Sequence, residues 1–261
     1  MPRIITLLTD FGYNDWFVGV MKGVITSIAP ESLIIDITHN IKPGDIRSAA
    51  FNLMVSYRFF PKGSIHVVVV DPGVGTARKA IVVQTEDMIF IGPDNGVLSW
   101  ALESTHICRI IELQNPKWFL KNVSNTFHGR DIFAPVAAHI ANGIDIQEFG
   151  PTVSDYFKLP FPEPTISNYN VTGEILLIDR FGNGITNITD SHLLRTKLEK
   201  YKFFANSKFV GRIQQSYGSV PAGKPLVLKG STGFYEICVN SGSAASMFNL
   251  EPKSPVTALL D

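Results

Sequence analysis

The stretch SIHVVVVDPGVG, residues 64–75, decides the fold. Its continuous apolar run predicts a buried strand, and the run ends at a carboxylate that is followed by a glycine-rich turn. Two similar runs precede it, IITLLT at 4–9 and LIIDIT at 33–38, and helical spacing follows them at 16–28 and 45–57. This alternation of strands and helices predicts an α/β domain with a largely parallel sheet.

Further elements of this domain follow the decisive strand. The pattern predicts a hairpin formed by 80–84 and 87–91, and helices at 94–103 and 131–142. Asp45 is expected to cap the helix that begins after it, because a carboxylate at this position accepts a hydrogen bond from the first turn.

A change in composition marks the end of this domain. Three prolines within LPFPEPTIS, residues 159–167, predict a stiff extended linker. Beyond it, short apolar runs alternate with Gly, Asn and Pro turns, and only 190–199 has helical spacing, which predicts a small all-β barrel or sandwich. We therefore expect an N-terminal α/β domain at 1–160, a proline-rich linker at 161–169 and a C-terminal β-barrel domain at 170–261.

Composition excludes several classes of function. The 261 residues carry 23 Lys+Arg and 23 Asp+Glu, so the chain offers no net attraction to nucleic acid or to an anionic membrane. The charged fraction of 18% is below the average of about 25%, which suggests that other subunits cover part of the surface. The N-terminus lacks the apolar core of a signal peptide, and no uncharged apolar window of ~18 residues occurs. The expected localisation is therefore cytoplasmic.

The spacing of histidine and cysteine gives no metal site. The six histidines form neither an HxH nor an HExxH pattern, and the two cysteines form no CxxC pair. We therefore expect catalysis without a metal.

Polar residues stand where ligands bind in open α/β sheets, at the ends of predicted strands. Asp10 follows the first strand, and its carboxylate could accept both hydroxyls of a ribose or could cap the next helix. Asp71 follows the third strand, and the glycine turn could bring Arg78 back to it, for chemistry or as a structural ion pair. His128 precedes a predicted helix whose positive N-terminus would keep the imidazole neutral, so that it could accept a proton from water or could merely pack.

Two turns of the C-terminal domain, 179–183 and 240–245, carry amide and hydroxyl groups suited to an adenine edge. Tyr217 and Phe234 could provide a stacking surface for the base. The same residues also fit ordinary β-turns with core aromatics, so the residues by themselves leave both interpretations open.

Seven segments together resemble the S-adenosylmethionine (SAM) hydroxide adenosyltransferases, or SAM hydrolases, which are related to the fluorinases and chlorinases. In chain order they are LLTDFGYNDWFVGVMKGVI, IIDITHNIKPGDI, VVVVDPGVGTARKAIVV, IGPDNGVLS, TFHGRDIFAPVAA, IDRFGNGITNI and CVNSGSAA. The similarity covers essentially the whole chain. It implies an α/β domain followed by a β-barrel domain. It also implies a homotrimer whose active sites lie between the N-terminal domain of one subunit and the C-terminal domain of the next.

The resemblance implies a reaction in which SAM and water give adenosine and methionine, with SAM as the substrate and no cofactor. Asp71, Arg78 and His128 match the family's water-activating set, in which Asp71 or His128 would take the proton and Arg78 would hold Asp71 ionised. Halogenating relatives carry Tyr in the place of Asp71 and Ser in the place of Gly129, so the resemblance favours water over halide. A halogenase-type enzyme and a non-catalytic adenosine or SAM sensor are the alternatives.

Substrate-binding residues carry over from the resemblance one by one. Asp10 resembles the ribose ligand, and Tyr217 resembles the aromatic residue that stacks on adenine. The other expected contacts are Phe127 in the substrate pocket, Phe181, Asn183 and Ser241 at the adenine, and Asp179 and Ser231 at the methionine end, assisted by Asp15. Thr232 stands where the halogenases have Arg, and the DRFGN segment is one residue shorter, so the ligands of the methionine carboxylate stay undefined.

Overall fold

The computed structural model describes residues 3–261, which form two compact units, one ending at Pro160 and one from Phe161 to Asp261. Residues 161–169, expected to form a linker, lie in the second unit, where Thr165–Ile166 pairs with the following strand. Within the described residues, no helix has both the length and the apolar character needed to cross a bilayer.

A six-stranded sheet forms the centre of the first unit. Its strands are β1 (Ile4–Thr9), β2 (Leu33–Thr38), β3 (Ile65–Val69), β4 (Ala80–Thr85), β5 (Ile89–Pro93) and β6 (Ile107–Glu112). They lie in the order β2-β1-β3-β5-β4-β6, with β1 parallel to β2 and β3, β3 parallel to β5, and β4 antiparallel to both of its neighbours. The predicted α/β class with a largely parallel sheet is confirmed, and so is the β4–β5 hairpin.

Helices cover both faces of this sheet, and β3 is buried at every position. Val67 and Val69 belong to the core beneath α1 (Phe17–Ile28) and α4 (Ala134–Ala141). Val68 points the other way, into the core beneath α2 (Ile46–Ser56) and α3 (Ser99–Leu102). Because successive side chains of a strand alternate between faces, a strand covered on both faces must be apolar almost throughout.

Local signals set the starts of α2 and α4. The Asp45 side chain accepts a hydrogen bond from the Ser48 amide, so the predicted cap of α2 is confirmed. The helix predicted at 131–142 is wrong at its start, because Gly129–Phe133 forms a wider π-helical turn ahead of α4. Such turns often mark functional sites, because they displace side chains from regular helical positions.

Two other predictions for this unit need correction. The helix predicted at 94–103 is limited to α3, because the residues before it form turns. Strand β6 is absent from the sequence prediction, since Cys108 and Arg109 are exposed on this edge strand and interrupt its apolar pattern.

A closed seven-stranded barrel forms the second unit. The short β7 (Thr165–Ile166) precedes the barrel strands β8 (Asn170–Ile178), β9 (Gly184–Thr189), β10 (Tyr201–Ala205), β11 (Lys208–Gln214), β12 (Pro225–Lys229), β13 (Phe234–Val239) and β14 (Pro255–Leu260). Their order is β14-β10-β11-β12-β13-β9-β8, and β8 closes the barrel because it pairs with both β9 and β14. The predicted C-terminal barrel is confirmed.

Side chains alternate between the inside and the outside of this barrel. On β13, Tyr235, Ile237 and Val239 pack into the core, whereas Glu236 and Cys238 project from the opposite face. The helix predicted at 190–199 is wrong, because the chain forms two short 3-10 turns there. A short helix, α5 (Ala244–Phe248), follows β13 and is absent from the sequence prediction.

Candidate functional site

A cavity of about 510 Å³ opens where β1 and β3 end in the first unit. Its wall includes three predicted site residues that carry charge or can carry it, Asp10, Asp71 and His128. The wall also includes Phe11 and Phe127, so one side of the cavity is aromatic. The sheet thus presents polar groups at the carboxyl ends of parallel strands, where α/β proteins bind ligands.

Asp71 and Arg78 form a nearly buried ion pair at this cavity. The side chains are 4% and 11% exposed, respectively. Nε of Arg78 donates to both carboxylate oxygens of Asp71, at 3.0 and 2.9 Å, and Nη2 of Arg78 contacts Oδ2 as well. The turn therefore folds back as its glycines suggest, and a charge-assisted fork fixes the carboxylate plane.

His128 is joined to the same guanidinium. Nη2 of Arg78 lies 2.7 Å from Nδ1 of His128, so the acid, the guanidinium and the imidazole form one hydrogen-bonded set. Burial and then the positive charge of Arg78 lower the pKa of His128 below its usual 6.5, against the opposing pull of Asp71. The imidazole is held neutral as expected, but through burial and Arg78 rather than through the helix terminus invoked from the sequence.

A buried carboxylate holds the segment that presents His128. Asp131 is fully buried and accepts hydrogen bonds from Ser124 through its amide and its hydroxyl, each at 2.8 Å. Arg130 adds two more, from Nε at 2.6 Å and Nη2 at 3.1 Å. Burial alone would raise the pKa of Asp131, but these hydrogen bonds outweigh it and lower the pKa. Asp131 therefore fixes the loop from 124 to 131 in place.

Asp10 also lines this cavity and does not cap α1. Its Oδ2 accepts a hydrogen bond from the Gly44 amide at 2.7 Å, whereas α1 begins after Trp16 without a side-chain cap. Burial raises the pKa of Asp10, and the nearby charge of Asp71 adds to the effect. Asp15, expected to assist at the methionine end, is exposed and stands outside the cavity lining.

Phe127 stands at the centre of an aromatic cluster on the cavity wall. Its ring is in edge contact with Phe11 at 5.7 Å, Phe17 at 5.2 Å and Trp16 at 5.6 Å between centroids. Sequence reasoning placed Phe127 in the pocket but missed Phe11, Trp16 and Phe17. These three aromatic residues fall within the seven positions 11–17, and this clustering could have indicated an aromatic wall.

The second unit brings four predicted site residues together. Oδ1 of Asp179 accepts hydrogen bonds from the amides of Phe181 and Asn183, both at 2.8 Å, and Oδ2 accepts from Nδ2 of Asn183 at 2.9 Å. Nδ2 of Asn183 also lies 3.1 Å from the hydroxyl of Tyr217. The Phe181 ring is 76% exposed at the tip of this turn, which leaves it free for contacts.

The two polar turns of the barrel touch each other. The Ala245 amide donates to the Gly182 carbonyl at 2.8 Å. Gly182 has a φ of +82°, and a Cβ there would lie 2.2 Å from Oγ of Ser243, so the close approach requires glycine. Ser241 is exposed, and its backbone adopts the left-handed conformation. Its hydroxyl lies 3.2 Å from Oδ1 of Asn240.

Glu236 is a candidate that the sequence reasoning missed. Its Oε2 lies 4.0 Å from Sγ of Cys238, which is 3.7 Å from the hydroxyl of Tyr217. Burial raises the pKa of Glu236, and the charge of Asp179 adds to it. Among the ion pairs within residues 3–261, none includes Glu236, so this half-buried acid lacks a cation. The sequence offered one indication of this site, since Glu236 is the only acidic residue in the otherwise apolar run FYEICV.

The remaining predicted residue lies in the turn before β13. Ser231 is exposed there, next to Thr232, whose hydroxyl is buried without a hydrogen-bond partner. Gly230 precedes them, and a Cβ on it would collide with the carboxylate of Glu236. The turn and Glu236 therefore form one small polar surface with Tyr217. Phe234, suggested as a stacking surface, stacks on Phe161.

The first unit has ionisable side chains in a cavity at the carboxyl ends of parallel strands, which is the arrangement of a small-molecule binding site. Comparison with known proteins gives its family. Residues 5–150 match the SAM hydroxide adenosyltransferase N-terminal domain, and residues 173–257 match the corresponding C-terminal domain. The chain belongs to the SAM hydroxide adenosyltransferase family.

Curated relatives agree with this assignment. The chain is 39% identical to the (R)-S-adenosyl-L-methionine hydrolase of Salinispora tropica, over 95% of this chain and 94% of the relative. It is 35% identical to the protein of the same name from Thermus thermophilus, over 98% of this chain and 100% of that relative. A fluorinase from an Actinoplanes species is 28% identical, over 97% and 96%. A solved structure of an uncharacterized conserved protein from Thermotoga maritima has a TM-score of 0.93 and 39% identity, and covers 98% of this chain and 99% of that one.

Proposed function

We propose that this protein hydrolyses SAM to adenosine and L-methionine by attack of water on C5′ of the ribose. The observation that carries the proposal is the continuous hydrogen-bonded set of Asp71, Arg78 and His128 on the wall of the cavity. The hydrolase relatives are (R)-S-adenosyl-L-methionine hydrolases by name, so (R)-SAM is the proposed substrate.

The chemistry needs only a positioned water and a proton acceptor. The sulfonium makes C5′ electrophilic, and methionine leaves as a neutral thioether. Holding water in line with the C5′–S bond removes much of the entropic barrier, up to about 7–11 kcal/mol in well-oriented systems. A positioned base contributes a further ~10²–10⁴-fold. We therefore propose a reaction without metal or organic cofactor. Within residues 3–261, no cluster of three His, Cys, Asp or Glu suits a metal ion.

The cavity of the first unit would hold the ribose and the reacting carbon. Asp10 has one oxygen bonded to the Gly44 amide, and its carboxylate retains acceptor capacity for the ribose hydroxyls. Phe127 and its aromatic neighbours would exclude bulk water from the sulfonium, because they make one wall apolar. Desolvation of this kind strengthens the electrostatic contacts inside the site.

The barrel surface would bind the adenine and the amino-acid end of the substrate. Asn183 and Ser241 supply amide and hydroxyl groups for the base edge, and Phe181 and Tyr217 supply rings. Ser231 and Asp179 are proposed at the methionine end. Asp179 uses both of its oxygens to hold its own turn, so Glu236, which lacks a cation, is the better acceptor for the substrate ammonium. Asp15 is proposed only as an auxiliary charge.

Halide is a poorer nucleophile for this site than water. The family resemblance places Tyr in halogenases where this chain has Asp71, a carboxylate that would repel halide. It places Ser in them where this chain has Gly129. A Cβ at Gly129 would lie 3.2 Å from both Sδ of Met21 and Cε2 of Phe127, so a side chain there requires these two side chains to shift slightly. A non-catalytic sensor would have no use for the buried ion pair.

The assembly and the location follow from the resemblance and the composition. We propose a homotrimer in the cytoplasm, supported by the low charged fraction of 18%. Light scattering of the purified protein tests the trimer directly, since three chains of 28.8 kDa differ clearly from one or two.

The test of the function is an incubation with each sulfonium epimer of SAM, with and without chloride, followed by liquid chromatography. The expected result is adenosine and methionine in equal amounts, from the (R) epimer and independent of chloride. A 5′-halogenated adenosine would indicate a halogenase instead. Adenosine or SAM binding without any turnover would indicate a sensor.

A further inference from the structure

We infer that His39 is a positioning residue, which holds the carboxylate of Asp10 in place for the ribose hydroxyls of the substrate. This inference rests on the proposed hydrolysis of SAM and deepens it, because it adds a residue that lies behind the site. His39 is fully buried and stands outside the lining of the cavity, whereas Asp10 is part of that lining. The link between them runs through the residues on either side of Asp10.

The ring of His39 is tied to Thr9, the residue before Asp10. Nδ1 of His39 lies 2.7 Å from Oγ1 of Thr9, and both side chains are fully buried. The same Oγ1 accepts a hydrogen bond from the Phe11 amide at 3.2 Å. The hydroxyl of Thr9 therefore closes a turn around Asp10, and His39 holds that hydroxyl.

The backbone of His39 adds a second tie on the other side of Asp10. Its carbonyl accepts a hydrogen bond from the Gly12 amide at 2.7 Å. His39 thus holds both ends of the segment that carries Asp10, Thr9 through the ring and Gly12 through the backbone. The Asp10 side chain itself accepts from the Gly44 amide at 2.7 Å. These fixed points leave the carboxylate little freedom to turn away from the cavity.

A carboxylate behind His39 sets the direction of this chain of contacts. Nε2 of His39 lies 3.1 Å from Oδ1 of Asp36, and neither atom has a hydrogen-bond partner elsewhere in residues 3–261. Oδ2 of Asp36 accepts from Nζ of Lys22 at 2.6 Å. An ionised carboxylate can only accept, so the hydrogen of the neutral ring is on Nε2.

Nδ1 of His39 then has a lone pair, and the Thr9 hydroxyl must donate to it. Burial lowers the pKa of His39 against the opposing pull of Asp36, which favours this neutral form of the ring near pH 7. The Thr9 oxygen keeps its own lone pairs for the Phe11 amide. Each group in the chain therefore has a defined role, and the ring acceptor of His39 is the one that orients the hydroxyl.

A second pair of the same kind lies deeper in the sheet and provides a matched control. Nδ1 of His66, on β3, lies 2.8 Å from Oγ1 of Thr6, on β1, and both side chains are fully buried. Thr6 precedes Thr9 by three residues, about 10 Å along the strand. Neither His66 nor Thr6 lines the cavity. Loss of this pair therefore removes a buried His–Thr contact without acting on Asp10.

The experiment measures the affinity for adenosine and for 2′,3′-dideoxyadenosine, which lacks both ribose hydroxyls, by isothermal calorimetry. His39→Leu removes the ring acceptor. His39→Asn keeps one, because Oδ1 of asparagine is bonded to Cγ as Nδ1 of histidine is. We expect His39→Leu to weaken adenosine binding by about tenfold and to leave dideoxyadenosine binding within about twofold of wild type. His39→Asn should restore most of the adenosine affinity.

Two further measurements separate this role from a merely structural one. In an Asp10→Ala background, His39→Leu should cause no further loss of adenosine affinity, because the carboxylate that it positions is gone. His66→Leu should lower the unfolding free energy but keep the wild-type preference for adenosine over dideoxyadenosine. Thr9→Val removes the hydroxyl and keeps the shape of the side chain, so it tests the same link if His39→Leu fails to fold, and it should show the same selective loss.

Equal losses for the two ligands in His39→Leu or Thr9→Val would overturn the inference, since the pair would then support the cavity as a whole. Unchanged adenosine affinity in these variants would overturn it too, as would a wild-type protein that binds both nucleosides equally well. Failure of the proposed function looks different, because wild type would then release no adenosine from SAM, whatever the variants bind.

Discussion

Gly75 lies directly against the backbone of Asn125, so the two loops that carry Arg78 and His128 are pressed together. A Cβ built on Gly75 would stand 2.2 Å from the Asn125 carbonyl oxygen, and the φ of Gly75 is +76°. The position therefore demands glycine for two independent reasons, contact and backbone conformation. We therefore expect the distance between Arg78 and His128 to depend on this contact.

Replacement of this glycine should separate the two loops. We expect Gly75→Ala to lower kcat on the order of 10²-fold, because a displacement of about 1 Å in a catalytic group has that effect. Gly63→Ala is the matched control, since Gly63 has a φ of +83° with nothing within 4 Å of the added Cβ. The control should lose only about 1–2 kcal/mol of unfolding free energy, from the left-handed backbone, and keep its kcat. Equal kcat in the two variants would show that the contact is unimportant.

Asp131 should stabilise the fold in a pH-dependent way. Its pKa is below the ordinary 3.8 in the folded protein, so its contribution is present above about pH 4 and is lost as the pH falls further. Asp131→Asn should lower the unfolding free energy at pH 7 by roughly 1–3 kcal/mol, because it weakens four buried hydrogen bonds. Denaturant titrations at pH 7 and pH 3 measure this.

The control for that variant is Asp155→Asn, a surface acid that is 73% exposed beside Lys158. It should change the unfolding free energy very little at either pH. The Asp131→Asn loss should shrink at pH 3. A loss of the same size at both pH values would assign the effect to packing rather than to the carboxylate charge.

Asp10 should determine the affinity for the nucleoside. We expect Asp10→Ala to weaken adenosine binding by about 10–100-fold, as expected for loss of hydrogen bonds to a charged group worth about 1.5–3 kcal/mol. Isothermal calorimetry with adenosine measures this without turnover. Asp15→Ala, an exposed change outside the cavity lining, should leave the affinity within about twofold of wild type. Unchanged affinity in Asp10→Ala would remove the ribose role.

Glu236 should recognise the ammonium of the substrate. Glu236→Gln should raise KM for SAM by about tenfold, through loss of a charge-assisted hydrogen bond, and leave adenosine binding unchanged because adenosine lacks this group. Decarboxylated SAM, which keeps the ammonium, should show the same sensitivity. An adenosyl dimethylsulfonium, which lacks it, should show none. Glu251→Gln, an exposed change elsewhere on the barrel, serves as the control.

The fold was predictable where burial dominates the sequence pattern. Strand β3 has valine at three successive positions, so both of its faces are apolar. This pattern is typical of a strand covered on both faces, and it predicted the α/β class. The edge strand β6 was not predictable in this way, because solvent tolerates Cys108 and Arg109 there. The π-helical turn at Gly129–Phe133 was not predictable either, because it has the apolar spacing of the helix that follows it, and the hydrogen bonds from Ser124 to Asp131 follow no repeating pattern.

The site was predictable to different degrees. Asp10 and Asp71 follow strands, so their place at the sheet edge follows from topology. The link from Arg78 to His128 joins residues 50 positions apart, and its direction needs coordinates. Glu236 was missed because a single acid in an apolar strand is usually a solvent-facing residue. Only the structure shows that Glu236 lies near Cys238 and Tyr217 and has no cation as its partner.

The closure of the barrel has a consequence for the order of folding. β8 pairs with β9 next to it in sequence, but its other edge pairs with β14, about 80 residues later. That edge stays open until the most distant strand arrives, and closing so long a loop is entropically slow. The second unit should therefore refold in a late step that is limited by the docking of β14. Until that step the exposed edge of β8 is the segment most prone to pair with another chain.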